Sequence, residues 1–293
     1  MQYIKRGEKM FSLKRYSMPV ITLTASELEM YPQIGEGSEG IVKNFLNTYA
    51  IKIYYNGLNL SKNKIKKLQT LSKLQDDSFC FPVGLFESFC LTHRGPINGL
   101  FTNIINHHSE YRDLEDLYYI IYKKSSVDTL KYLRKALIYL EKADQAMKRI
   151  HQKGVIIGDI HSSNIMINDN DEPIFIDTDN YSYGKFDFDY YPWRASLLGK
   201  TFECNPSKID SDIYAFSCMA FNLLIPIFEI DCHKEFYQKL VELLDVKKEV
   251  KDGLELIFSD AEKKPYISEI LPKINFSQTL LTEENIETLK TYK

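Results

Sequence analysis

Paired cysteines are the first thing this sequence lacks. Its five, Cys80, Cys90, Cys204, Cys218 and Cys232, are odd in number and widely spaced, and none forms a C-x-x-C pair. That excludes a zinc knuckle or a dithiol redox motif and points to free thiols in a reducing compartment. An excess of charge of one sign is lacking too. The 37 Lys and Arg against 40 Asp and Glu leave a net charge of −3, with no basic surplus to draw nucleic acid or a membrane surface. The longest apolar run, Ile213–Phe228, is interrupted by Asn222 and Pro226. It falls short of a membrane span and reads as a buried core helix. The basic residues Lys5, Arg6, Lys9, Lys14 and Arg15 are followed by no apolar stretch, so no secretory leader is expected and a cytoplasmic protein is. Repeats and low-complexity linkers are missing as well.

What is present divides by pattern. The first hundred residues carry short strand-like pieces, "GIVKNFL", "YAIKIYY", "FPVGLFES" and "GLFTNII", punctuated by Asn47 and Gly57. Between them "SKNKIKKLQTLSKL" sets Ile65, Leu68, Leu71 and Leu74 at helical spacing. Its lysines, Lys62, Lys64, Lys66, Lys67 and Lys73, read as a solvated face. From about residue 107 the pattern turns helical. Leu130, Leu133, Leu137, Leu140, Met147 and Ile150 form an apolar stripe that stops before Gly154, a residue suited to end a helix. Short buried strands "VII", "IMI" and "PIFI" follow, then mostly helix to the end. The expected class is α+β, with a small β-rich lobe and a larger helical lobe.

Chemistry-bearing residues gather at the polar edges of these strands. "IGEGSEGIV" spends three glycines, Gly35, Gly37 and Gly40, where backbone must come close to something, such as a phosphate. Lys52 sits inside the apolar strand "YAIKIY" and needs a partner, because an ammonium buried alone is costly. The loop "GDIHSSN" holds Asp159, His161 and Asn164, and "PIFI" runs into Asp177 of "DTDN". A carboxylate and an amide oxygen suit Mg²⁺ completed by phosphate oxygens. A second carboxylate can accept the proton of an attacking hydroxyl.

In this order the pieces resemble the protein-kinase fold over nearly the whole chain. Gly35, Gly37, Gly40 and Val42 match G-x-G-x-x-G-x-V, and Lys52 matches the Lys of V-A-I-K. Asp159 and Asn164 match the ends of D-x-x-x-x-N, and Asp177 matches the Asp of D-F-G. "SDIYAFSCMAFNLL", led by Asp212, is similar to the helix beneath the catalytic loop, and "KKPYISEIL" (263–271) to the last helix of the large lobe.

The resemblance implies residues 1–24 as an N-terminal extension, 25–106 as a nucleotide-binding lobe and 107–293 as the catalytic lobe. It implies ATP and Mg²⁺ as cofactors and a protein substrate with a Ser or Thr acceptor. Gly35, Gly37, Gly40, Val42, Ala50 and Lys52 would bind the nucleotide, with adenine against Val42 and Ala50 and on backbone near Thr102–Ile105. Asn164 and Asp177 would hold the metal. Asp159 would take the proton, Lys52 would orient the α- and β-phosphates, and His161 would either contact the γ-phosphate or hydrogen-bond within the loop. An aminoglycoside- or choline-type small-molecule kinase, sharing "GDIHSSN", and a partner-binding pseudokinase are the alternatives.

Four features depart from the pattern. Ile157 and Gly158 stand where His and Arg are usual, and His161 stands where Lys is. The D-F-G turn reads Asp177-Thr178-Asp179. Helix 61–75 holds no acid to pair with Lys52, for which Gln69 or Asp177 is the expected substitute. "FECNP" (202–206) is the nearest segment to an A-P-E. Without the Arg, activity is expected not to require phosphorylation of 180–206.

Overall fold

The computed structural model describes residues 3–6, 9–12, 18–37, 39–55, 60–90, 93–123, 126–188, 208–225, 234–261, 263–275 and 281–291. "FECNP" lies outside the described residues. The chain is mixed α+β and divides into two compact units. One comprises residues 1–106 with 176–179, the other 107–175 with 180–293.

The first unit is built on a twisted sheet. Six strands, β3 (Val20–Thr24), β7 (Gly84–Cys90), β8 (His93–Asn103), β6 (Tyr49–Tyr54), β5 (Gly40–Phe45) and β4 (Gln33–Glu36), lie side by side in that order. The pair β1 (Tyr3–Arg6) and β2 (Lys9–Ser12) extends it beyond β3. Among the described strands only β3 and β7 run parallel, so residues 20–24, assigned from sequence to an extension, are a strand of the sheet. The β5–β6 hairpin closes through Leu46 and Asn47, both at positive φ (57° and 53°), and Asn44 Oδ1 accepts the Asn47 amide at 2.9 Å. That turn suits the twist of the flanking strands.

Strand alternation decides which face each residue takes. Ile51 joins Ile21, Leu23, Phe45, Phe86 and Phe101 in one buried cluster. On the other face Leu85, Leu100, Met18 and Val20 pack under Ile65 and Leu68 of helix α2 (Lys62–Leu71). α1 is the short helix Ala25–Glu29. Lys52 pairs in register with Leu100, so the alternation turns it to the α2 side. Ser61 caps α2 by accepting the Lys64 amide at 3.0 Å. The lysines of α2 do not all form a solvated face: Lys64 and Lys67 are buried, at 8% and 2% exposure.

In the second unit α3 (Leu114–Lys123) and the long α4 (Ser126–Gln152) carry the short strands β9 (Val155–Ile156), β10 (Ile165–Ile167), β11 (Pro173–Phe175) and β12 (Ser182–Tyr183). The buried stripe of α4 is Tyr132, Ala136, Tyr139, Leu140, Ala143, Met147 and Ile150, whereas Leu130 is half exposed. Gly154, at φ 77°, ends the helix. Helices α5 (Ile209–Leu224), α6 (Lys234–Leu243), α7 (Lys248–Ile257) and α8 (Glu283–Lys290) complete the unit. "KKPYISEIL" is not a helix. It holds a 3₁₀ turn at Ile267–Glu269, and a second turn begins with Leu271 and Pro272. Pro265 and Pro272 lack the amide hydrogens that an α-helix would need there. Among the described residues no helix is long and apolar enough to cross a membrane.

Candidate functional site

In the first unit the Lys52 ammonium is the centre of a buried charge cluster. It donates to Asp177 Oδ1 at 2.8 Å, Glu39 Oε2 at 2.9 Å and Asp179 Oδ1 at 3.1 Å. These partners come from the glycine-rich loop and from the turn after β11, some 125 residues along the chain. The expected substitute Gln69 is not among them, while Asp177 is. Helix α2 does contribute to the cluster, but with a cation. Lys64 Nζ donates to Asp179 Oδ2 at 3.2 Å and to its carbonyl at 2.9 Å. Tyr54 donates its hydroxyl to the same Oδ2, and its ring lies 5.4 and 5.6 Å from the two ammonium nitrogens.

Burial disfavours every charge here, and the neighbours answer it. For Lys52 the carboxylates of Asp179, Asp177 and Glu39 outweigh burial and push the ammonium well above its ordinary value. Burial likewise opposes ionised Asp179, yet Lys52 and Lys64 hold it far below the usual carboxylate range. For Glu39 burial wins over Lys52, and its carboxyl is raised. Asp179 is 2% exposed, while the Asp177 side chain is 44% exposed and turned toward solvent at φ 57°. Asp177 therefore has one oxygen on Lys52 and an accessible edge. Thr178, between them, anchors the turn by donating to the Cys80 carbonyl at 2.9 Å.

The three glycines differ in what they do. A Cβ on Gly40 would run into the Ile53 carbonyl of β6, so that glycine is required by strand packing. Gly35 lies in register with Val42, and a Cβ there would make ordinary contact with it. Gly37 has nothing within 4 Å of such an atom, and its amide closes the turn onto the Gly40 carbonyl at 3.0 Å. Ala50 and Val42 are half-buried neighbours of this loop, with Ala50 paired to Thr102. The Ile104 amide is spent on the Thr48 carbonyl at 2.9 Å, which removes it from the groups expected to meet adenine.

The second unit holds Asp159, His161 and Asn164 in the loop between β9 and β10. Asn164 Nδ2 donates to the Asp159 carbonyl at 3.1 Å and reaches its Oδ2 at 3.4 Å, which aims the amide oxygen away as a hard donor. His161 Nδ1 accepts the Ser163 amide at 3.1 Å, with Ser163 Oγ at 2.7 Å. That bond places the ring proton on Nε2. Under the loop Asp212, at the start of α5, accepts the amides of Ile157 (2.7 Å) and Gly158 (2.8 Å). His151 Nε2 donates to Asp212 at 2.9 Å, and its Nδ1 lies 2.9 Å from the Tyr266 hydroxyl. The loop's backbone is thus held by one buried carboxylate.

Sequence reasoning singled out Lys52, Asp159, Asn164, Asp177 and Asp212 but missed Glu39, Tyr54, Lys64, His151 and Tyr266 in these networks. Only Lys64 left a signal, at the same helical position set as Leu68 and Leu71. Asn164 of the second unit carries an amide oxygen and Asp177 of the first a carboxylate, each a hard-oxygen donor. Among the described residues no three His, Cys, Asp or Glu side chains gather to hold a metal unaided. Comparison with protein-family models finds no match to this chain, and neither does comparison with curated proteins.

Proposed function

We propose that the protein is an ATP- and Mg²⁺-dependent phosphotransferase, a two-lobed Ser/Thr protein kinase of divergent type. The observation that carries the reading is the Lys52–Asp177 pair, at 2.8 Å. It joins the two residues that the motif resemblance assigns to phosphate and metal, 125 residues apart in the sequence. Support also comes from the Asp212 carboxylate, whose two amide bonds stiffen the loop bearing Asp159.

On this reading the backbone of Gly35–Gly40 covers the triphosphate, and Lys52 orients its α- and β-groups. Asp177 and Asn164 would hold the metal ion, which supplies neutralisation of phosphate charge. Asp159 accepts the proton of the acceptor hydroxyl, and His161, protonated on Nε2, offers a donor to the transferred group. Entry of the phosphates displaces Glu39 from Lys52.

Incubation of purified protein with γ-labelled ATP and Mg²⁺ tests the reading, with a generic protein acceptor in one arm and small aminoglycoside or choline acceptors in another. Label on protein Ser or Thr, abolished by Lys52→Ala, is the expected result. Label on a small acceptor would reassign the substrate class. An Mg-ATP-induced rise in melting temperature without any transfer would leave a binding protein, and no rise at all would overturn the nucleotide reading.

A further inference from the structure

In the cluster around Lys52 the helix contributes a positive charge, and the turn after β11 contributes the negative one. Asp179 is where the two meet. Its Oδ1 accepts from Lys52, and its Oδ2 accepts from Lys64 and Tyr54. Both of its carboxylate oxygens are therefore fixed, and its carbonyl takes a further bond from Lys64. Glu39 and Asp177 also offer Lys52 one oxygen each, but their second oxygens take no hydrogen bond from the cluster. Glu39 belongs to the glycine-rich loop and Asp177 is partly exposed, so both have other work when phosphate and metal arrive. Asp179, 2% exposed, is the one partner of Lys52 buried too deeply to be recruited elsewhere.

We infer that Asp179 is the positioning residue for Lys52, held in turn by Lys64 of α2 and by Tyr54, so that helix α2 supports the phosphate-binding lysine through a cation and a bridging aspartate instead of an acid of its own. The relay explains why α2 can lack acidic residues altogether while Lys64 is buried. It also explains why the third residue of "DTD" is Asp: a neutral side chain there would take from two buried ammonium groups the negative charge they share. The role in phosphate binding rests on the phosphotransferase reading, whereas the effect on Lys52 does not.

The test measures Lys52 itself first. Its acylation by an amine-reactive reagent, followed by peptide mass spectrometry without nucleotide, reports how well the ammonium is held. Wild-type Lys52 should be protected, and Asp179→Asn should label at least about tenfold faster, the loss expected for a hydrogen bond to a charged group. Because Asp179→Asn takes a shared negative charge from two buried lysines, the double variant Asp179→Asn/Lys64→Met, which restores the charge balance, is made alongside it. It should fold and still expose Lys52. Both should raise KM for ATP by about tenfold or more with a smaller change in kcat, and Asp179→Glu should recover part of the loss. Unchanged Lys52 labelling in a folded double variant would overturn the inference, whatever ATP does. Faster labelling in a protein that never binds ATP would uphold the relay and remove the phosphotransferase reading.

Discussion

The Phe188 ring occupies the space that a Cβ on Gly158 would need, and Gly158 stands at φ 77°. Two independent constraints, a left-handed backbone and a ring packed on it, therefore demand glycine directly before Asp159. Gly154 has the same φ of 77° but open space around it. Both should lose roughly 1–2 kcal/mol on substitution by alanine from backbone strain, and Gly158→Ala should lose about 1–3 more from the overlap. Thermal unfolding of the two variants measures the difference, and equal losses would show that the ring yields freely.

The same position bears on regulation. An Arg before the catalytic Asp gives kinases an anchor for a phosphate carrying about two negative charges. Gly158 has no side chain to offer, and the Phe188 ring supplies apolar packing in its place. Phosphatase-treated protein should therefore transfer phosphate at the same initial rate as untreated protein. A lag that vanishes on pre-incubation with ATP would contradict this. Tyr181, Ser182 and Tyr183 are the described hydroxyl-bearing residues of the segment, while Ser196 and Thr201 lie outside the described residues.

Gly37 and Gly40 should separate binding from folding. Gly40→Ala forces a Cβ against the Ile53 carbonyl and should destabilise by about 1–3 kcal/mol. Gly37→Ala meets nothing and should leave the melting temperature nearly unchanged. If phosphate approaches the backbone there, it should nonetheless weaken Mg-ATP binding. Titration calorimetry that finds unaltered affinity in Gly37→Ala would detach that glycine from the nucleotide.

Asp144 of α4 should make stability fall as pH rises. It is fully buried, accepts the Ser268 amide on Oδ2 at 2.8 Å, and has no hydrogen-bond partner for Oδ1. Burial, only partly offset by Ser268, raises its carboxyl from 3.8 to about 6. The folded state then holds a proton that the unfolded chain releases, so the contribution is full below about pH 4 and lost as pH rises through about 6. The integrated effect is about 3 kcal/mol. Asp144→Asn should match wild type near pH 4 and be more stable at pH 8. Asp179, held low by Lys52 and Lys64 against its burial, acts in the opposite sense, being stabilising above the ordinary carboxylate range and losing that contribution on acidification. Comparing the two proteins at each pH cancels Asp179 and isolates Asp144. Identical pH profiles would refute the assignment.

Asp159 and Asp212 should fail in different ways. Asp159→Asn keeps its shape and removes a proton acceptor, so transfer should drop by about 10²–10⁴ with nucleotide binding and melting temperature retained. Asp212→Ala strands two backbone amides and His151 in the interior and should cost roughly 3–5 kcal/mol of stability. Near-wild-type transfer by Asp159→Asn would end its role as base.

The sequence alone determined the parts whose causes are local. Alternation over "YAIKIY" makes β6, Gly154 stops α4, and apolar spacing over 62–71 makes α2, because each follows from a few neighbouring residues. Asp159, Asn164 and Asp177 were legible for the same reason, as polar residues at the ends of short apolar strands. Long-range pairing decided the rest. A run of lysines looks solvated until the fold sets Asp179, 115 residues away, against Lys64. The sequence leaves the partner of Lys52 open between Gln69 on α2 and Asp177, because neither stands in a local spacing to it that would decide the pair. The tertiary structure decides for the turn after β11 and brings Asp179 and Glu39 to that lysine as well, because charge that is costly to bury alone makes such pairing obligatory.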